Sequence, residues 1–415
     1  MYSKGSLPSS LYLARNEQPR TLYSRCFQSD LSASDAMQRA FEIEGGGVQR
    51  KIALTVLLLT TTVSTPADRL DDYVGRLMKE QQVPGAVVVV LQNGAIVEQR
   101  AYGLANIEFN VPMKVENVFT IGSITKLFTT TAIFKLVQDG KIRLDDSVTT
   151  LVPGLPELWK EITILHCLSH TSGLPDLYEG THTLPIAFNP AEAIQKLAVK
   201  PLAFKPGEKT RYNATEFLVL RMVIEKVSGK RFEEFMADRV FQPLGLKTAQ
   251  FADARDIIPG KATLYSRFIP DASRLEFEER NGIDELSDHQ KWIVPILYPE
   301  SVRAGAGLVM SALDLAKFDA ALSAKTLLSA HTLEMMWAPV KLSNGKLGDF
   351  TAGWQRWGHQ VPTIVGHAGW SGVEYVRMID GPYSVIVFTN CPETFIHAFT
   401  MGVLNLYAGP TLVAY

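Results

Sequence analysis

Apolar positions Leu70, Val74, Leu77 and Met78 recur at helical spacing in ADRLDDYVGRLMKEQQVPG, and Pro84-Gly85 stops the pattern, so residues 67–85 predict an amphipathic helix. The run AVVVVLQNGAIVEQRAYG that follows holds two β-rich segments joined at Asn93-Gly94. A hairpin is expected there, because a two-residue turn needs positive φ at both central positions. In GSITKLFTTTAIFKLVQDGKIRLDD, Ile124, Leu127, Phe128, Ile133, Phe134 and Val137 mark a helix that ends at Asp139-Gly140. The middle of the chain is rich in helical patterns such as ILHCLSHTSGLPD and FLVLRMVIEKVSGKRFEEFMADRVFQPLGL. FTAGWQRW, TIVGHAGW, VEYVRMID and YSVIVFTN then read as short strands, and 394–407 as a closing helix. Strands at both ends of the chain that join one sheet imply a sheet closed by distant segments, with a helical region inserted between them.

The start of the chain carries a different pattern. VQRKIALTVLLLTTTVSTPA, residues 48–67, sets Arg50 and Lys51 before an apolar run and a small-residue tail. That is the order of a secretory signal peptide, and the run is too short for a membrane span. A buried hydrophobic element is the alternative reading of the same residues. Export to the periplasm or outside the cell is expected, with cleavage near Ala67. No cysteine closes the run, so neither a lipoprotein anchor nor any other stable membrane anchor is suggested after cleavage. Residues 1–47 are polar, serine-rich and aperiodic, and are expected to form a disordered extension that lies before a true start at Val48.

Composition narrows the classes of function. Across 415 residues, 41 basic and 43 acidic side chains nearly cancel, which removes the electrostatic case for a nucleic-acid or anionic-membrane partner. Cys26, Cys167 and Cys391 show neither a paired set nor a metal-binding spacing, and Cys167 reads as a small buried hydrophobe. No metal or organic cofactor is expected, the partner is a small-molecule or peptide substrate, and no oligomeric state is read from the chain.

Ser123 and Lys126 are three residues apart at the start of a predicted helix, so hydroxyl and ammonium can share a face. Serine is a poor nucleophile until a base takes its proton. Lysine can do so only if desolvation or a neighbouring cation brings its pKa well below about 10.4. The spacing is equally met by an N-cap serine followed by a solvated lysine. Ser343 and Lys346 in LSNGKLG repeat it inside a glycine-containing turn with no helix after it, which reads as solvated loop.

The context of the first pair is more specific. GSITKLFT resembles the S-x-x-K motif of serine β-lactamases and penicillin-binding proteins. ITILHCLSHTSGLPD (162–176), PGEKTRYNATEFLVLRMVIEKVSG (206–229) and VGHAGWSG (365–372) are similar, in order, to later segments of the class C β-lactamase-like branch of that superfamily. The resemblance runs from about residue 67 to 390, and the hydrolase domain is taken as 68–410. It implies an α/β (α+β) fold: an antiparallel sheet flanked by the N- and C-terminal helices, with an inserted, mainly helical subdomain holding Tyr212 across a cleft.

The same resemblance implies that Ser123 is the acylated nucleophile, Lys126 its basic partner and Tyr212 a second proton-transfer group. His367 replaces the lysine of the third motif and is expected on an edge strand, with Ala368 and Gly369 beside the substrate. The backbone N–H groups of Ser123 and Trp370 are expected to form the oxyanion hole. Taken singly, Tyr212 fits a half-buried aromatic and His367 a satisfied sheet histidine, while His170 is expected to serve a packed turn. Two departures bear on substrate. Tyr212-Asn213-Ala214 sets Asn213, the candidate substrate-binding amide, one position early, and the third motif lacks a fixed cation. Both favour the family's esterases and D-amino-acid peptidases over an efficient β-lactamase. The competing class is an inactive relative that binds cell-wall or envelope material.

Overall fold

The computed structural model describes residues 66–178, 185–266, 270–271, 276–277, 292–357 and 363–409. The expected extension 1–47, and the expected signal peptide up to residue 65, lie outside the described residues. Helix α1 (Pro66–Glu80) leads into β1 (Gly85–Gln92) and β2 (Ala95–Asn106). Their hairpin turns at Asn93 and Gly94 with φ of 52° and 81°, the positive pair the Asn-Gly sequence predicts. After β3 (Val111–Pro112) and β4 (Val118–Thr120), a single 3₁₀ turn (Gly122–Ile124) opens into α2 (Thr125–Gln138).

The helical insert contains several short helices and α3 (Thr215–Ser228), which packs on α2. The chain then returns through β5 (Gln250–Phe251), β6 (Leu308–Ser311) and α4 (Ala312–Ser323). It ends in β7 (Gln355–Trp357), β8 (Ile364–Gly369), β9 (Val373–Met378), β10 (Tyr383–Thr389) and α5 (Ile396–Ala408).

Seven of these strands form one antiparallel sheet in the order β7-β8-β9-β10-β1-β2-β3. Its centre joins residues about 300 apart in sequence, with Val87 opposite Phe388 and Val89 opposite Ile386. β1 is a continuous apolar run because both of its faces are covered. Val88 and Val90 meet Leu70 and Val74 of α1 and Phe399 and Leu404 of α5. Val87, Val89 and Leu91 point the other way into the main core, with Phe128 of α2 and Phe318 of α4. Each fully buried aliphatic side chain here stabilises the fold by about 1.5–3 kcal/mol, so a charge at Val88 would separate the terminal helices from the sheet. The predicted architecture is therefore present, with the terminal helices on one face and the insert beyond the other.

α2 is buried on every side from Thr125 to Phe134, with Lys126 and four threonines among the enclosed residues, as befits a helix at the centre of the molecule. Its N-terminus differs in one detail from the sequence expectation. Ile124 belongs to the preceding 3₁₀ turn, and the first hydroxyl bond is donated by Thr125 Oγ1 to the carbonyl of Gly122 at 2.6 Å. Ser123 provides no side-chain cap, so its hydroxyl is left for other partners.

Candidate active site

The turn that carries Ser123 is set by a close approach of backbones. A Cβ added to Gly369, the last residue of β8, would stand 2.4 Å from the carbonyl oxygen of Ile121, so only glycine lets the strand end lie on this turn. Gly122 adopts φ of +50°, and a Cβ there would sit 3.4 Å from the backbone nitrogen of Trp370. Ser371 Oγ closes the same junction by donating to the carbonyl of Thr120 at 2.6 Å. The backbone nitrogen of Trp370, just past the end of β8, thus lies beside the turn of Ser123.

Two side chains from different elements converge on the serine. Tyr212 OH donates to Ser123 Oγ at 2.8 Å, and Lys126 Nζ lies 3.2 Å from the same oxygen. Lys126 comes from the first turn of α2, whereas Tyr212 comes from the segment just before α3. Lys126 is 3% exposed. Its Nζ also donates to the Gly305 carbonyl at 2.9 Å and sits over the rings of Tyr212 and Phe217 at 4.8 and 5.2 Å. Burial pulls its pKa down to about 7, against an upward pull from Asp176 and Glu216. The amine is consequently divided between neutral and charged forms near neutral pH.

Burial pushes the Tyr212 phenol in the opposite direction, well above its ordinary value, and its bond to Ser123 offsets part of this. The residue is 43% exposed, so solvent at the ring edge screens some of that shift. The hydroxyl remains protonated at neutral pH. His367 is buried, with Nδ1 2.7 Å from the carbonyl of Ala368, and burial followed by the Lys126 charge takes its pKa down to about 3. It is therefore a neutral imidazole, and its buried Nε2 has no hydrogen-bond partner among the described residues.

The strand of His367 is not the sheet edge that the sequence reading expects. β7 pairs outside it, but only along Ile364–Gly366, so His367, Ala368 and Gly369 run past the end of that short ladder. Asn213 also departs from its expectation. It is 2% exposed, its amide donates to the Leu174 carbonyl at 2.5 Å and accepts from Thr215 N at 2.7 Å. An amide so engaged is committed to holding the insert together. Ser343 and Lys346 lie in an exposed turn closed by the Leu342 N–H to Lys346 carbonyl bond at 2.8 Å, as the loop reading expects.

Beneath Tyr212 lies a buried polar cluster absent from the sequence reading as a unit. His170, at φ of 57°, packs against the Tyr212 ring with centroids 4.5 Å apart and planes tilted by 40°, and meets Phe350 edge-on at 4.6 Å. Its Nδ1 bonds Glu216, whose other oxygen accepts from Ser172 Oγ at 2.5 Å. Burial holds the histidine well below and the carboxyl well above their ordinary values, so both favour the neutral forms. The sequence signal was a glutamate in the first turn of α3, directly before the apolar run Phe217–Leu220. Gly305 was missed as well, although AGAG before an apolar strand marks a segment small enough for close approach to Lys126.

This sheet and this insert, with a serine at their junction, define a β-lactamase/transpeptidase-like fold. The chain belongs to the Beta-lactamase family, whose model matches residues 70–399. It is similar to penicillin-binding protein 4* of Bacillus subtilis (strain 168), at 28% identity over 328 residues covering 76% of this chain and 70% of that protein. It is also similar to esterase EstB of Burkholderia gladioli, at 34% identity over 205 residues, 45% of this chain and 52% of that one. Among solved structures, D-amino acid amidase from Ochrobactrum anthropi SV3 shares the fold with a TM-score of 0.65 and 22% identity, covering 82% of this chain and 99% of that one. The proteins it resembles in sequence thus include a penicillin-binding protein and an esterase. No helix among the described residues is long and apolar enough to cross a membrane.

Proposed function

We propose that the protein is an exported serine hydrolase that acts on esters or amides through an acyl-enzyme on Ser123. The observation that carries this reading is the convergence of Tyr212 OH at 2.8 Å and Lys126 Nζ at 3.2 Å on one serine oxygen. Export rests on the pattern of residues 48–67.

Lys126 with a pKa of about 7 offers a neutral amine at working pH, so it accepts the Ser123 proton as Oγ bonds to the acyl carbon. The oxyanion forms against the N–H groups of Ser123 and Trp370, where backbone donors are fixed by the Gly122 and Gly369 contact. Tyr212 starts as a phenol, which suits it to donate its proton to the departing oxygen or nitrogen, after which the Lys126 ammonium resupplies it. The same groups act in reverse when water attacks the ester: Tyr212, deprotonated through Lys126, or Lys126 itself takes the water proton, and Ser123 leaves with its proton restored. Lysine and tyrosine do this work only together, because alone each sits far from neutrality.

A neutral His367 leaves the third motif without a cation for a substrate carboxylate. That, together with the inward-turned Asn213, supports an esterase or amidase in preference to an efficient β-lactamase. Incubation of the folded protein with a fluorophosphonate probe and a fluorescent penicillin, followed by peptide mass spectrometry, tests the reading. A covalent adduct on Ser123 is the expected result. Folded protein that takes neither probe would instead be a binder of envelope material without turnover.

A further inference from the structure

Trp370 follows the glycine that ends β8, at the second position of the turn that joins β8 to β9. The Gly372 N–H donates to the Gly369 carbonyl at 3.1 Å and Ser371 Oγ to the carbonyl of Thr120, so the backbone of this turn is fixed against the chain that leads to Ser123. The indole shares the approach. Its Cδ1 would stand 3.5 Å from a Cβ placed on Gly122, the neighbour of Ser123. Trp370 is nevertheless 43% exposed, as is Tyr212, whose hydroxyl bonds Ser123 from another element.

An exposed apolar ring is ordinary on a protein surface, where it is free to change rotamer. This one is held. Trp370 Nε1 donates to Tyr298 OH at 3.0 Å, and Tyr298 is itself buried. The segment carrying Tyr298 is anchored by Ser301 Oγ, which donates to the Ala187 carbonyl at 2.7 Å, and four residues further on the Gly305 carbonyl accepts from Lys126. One stretch of chain, 298–305, thus sets both the base of Ser123 and the ring beside it. Tyr178 acts electrostatically on Tyr298 and Tyr212 alike, so the phenols belong to one aromatic lining.

A ring already held in one orientation loses little entropy when a hydrocarbon chain covers it. Because the backbone N–H of the same residue is the oxyanion donor, whatever reaches the ring is attached to the reacting carbonyl. Tyr212, as proton donor to the departing atom, takes the side of the leaving group, and the acyl chain is left to the tryptophan.

We propose that the indole of Trp370, held by Tyr298, is the acyl subsite of the hydrolase, and that its substrates are esters or amides of hydrocarbon acyl groups several carbons long. The inference rests on Ser123 being the acylated residue, and its test keeps the two separate. p-Nitrophenyl acetate and hexanoate differ only in the acyl chain, whereas phenyl and 2-naphthyl acetate differ only in the leaving group. kcat/KM for each ester is measured with the purified full chain and with Trp370→Ala, Tyr298→Phe and Ile96→Ala, and divided by the rate of the same ester with hydroxide. Ile96 is a control: it is 44% exposed but lies on β2, four strands from β8 in the sheet.

A methylene covered on one side gains about twofold in binding, so hexanoate is expected to exceed acetate by about tenfold in the wild-type protein. Trp370→Ala should lower that ratio to about two. Tyr298→Phe should lower it about threefold, through KM, because the ring remains but is no longer held. Ile96→Ala should keep the wild-type ratio. The proposal is overturned if Trp370→Ala keeps it too, or changes the naphthyl-to-phenyl ratio in its place. It is equally overturned if Tyr298→Phe lowers kcat for both acyl chains by the same factor, since the tyrosine would then act on the chemistry and not on the subsite. Failure of the underlying reading looks different: hydrolysis of p-nitrophenyl acetate would survive Ser123→Ala or be absent from the wild-type protein.

Discussion

Lys126 Nζ stands 3.2 Å from Ser123 Oγ although the lysine is only 3% exposed. An ammonium buried this deeply is destabilised relative to its neutral form, and that is what makes a lysine one turn from a serine a usable base. The duplicate spacing at Ser343 and Lys346 lacks this property because both residues are exposed. Replacing Ser123 by alanine should therefore reduce hydrolysis of p-nitrophenyl esters to the background rate. Ser343→Ala should retain wild-type turnover, and equal losses in the two variants would contradict the assignment.

The same burial makes a prediction about pH. Lys126 with a folded-state pKa of about 7 binds fewer protons than an unfolded lysine between that pH and about 10.4, so stability rises across this window. Below about 7 the folded protein carries the full penalty of the buried charge, on the order of a few kcal/mol. Lys126→Met removes the titrating group. Wild type should gain thermal stability relative to this variant as pH is raised from 6 to 9, measured as the difference in Tm. Activity of the wild type should climb through about pH 7 as the amine becomes neutral, and the methionine variant should lose about 10²–10⁴-fold in kcat/KM.

Tyr212→Phe separates the ring from its hydroxyl. The ring packs on His170 with centroids 4.5 Å apart, and phenylalanine preserves that contact. Stability should change by less than about 1 kcal/mol, whereas kcat falls by about 10²-fold or more because the departing group has lost its proton donor. A variant with wild-type kcat would remove the phenol from the mechanism.

Glu216 and His170 can be read through two substitutions. Since burial favours the neutral form of each, a side chain of the same shape without a proton to lose should be accepted. Glu216→Gln is expected to lower stability modestly, by about 1 kcal/mol, and Glu216→Ala by about 2–4 kcal/mol through an unsatisfied His170 and Ser172 and the space left behind. Urea unfolding of both variants measures this. Near-equal large losses would mean that the pair is ionic, because breaking a buried ion pair leaves an uncompensated charge.

Local pattern in the chain was sufficient for the elements around the site. Asn93-Gly94 specified its turn because few residues accept positive φ, and the spacing of Leu70 and Val74 specified the face that α1 buries. The order of the motifs around Ser123, Tyr212 and His367 also sufficed to place the chain in its family. Other features depended on distant contacts that no local window contains. Whether Ser123 caps a helix or meets two proton carriers is decided by Gly369 lying on Ile121, almost 250 residues away, and by Gly305 closing over Lys126. Asn213 was legible as a residue type, but its amide faces Leu174 because the insert folds back on itself. His367 lost its edge position to β7, the end of the strand read in FTAGWQRW, because which strand pairs outside β8 is a matter of tertiary pairing and not of local pattern. Sequence by itself determined which residues could do chemistry; burial and backbone approach, which exist only in the folded chain, decided their protonation and their partners.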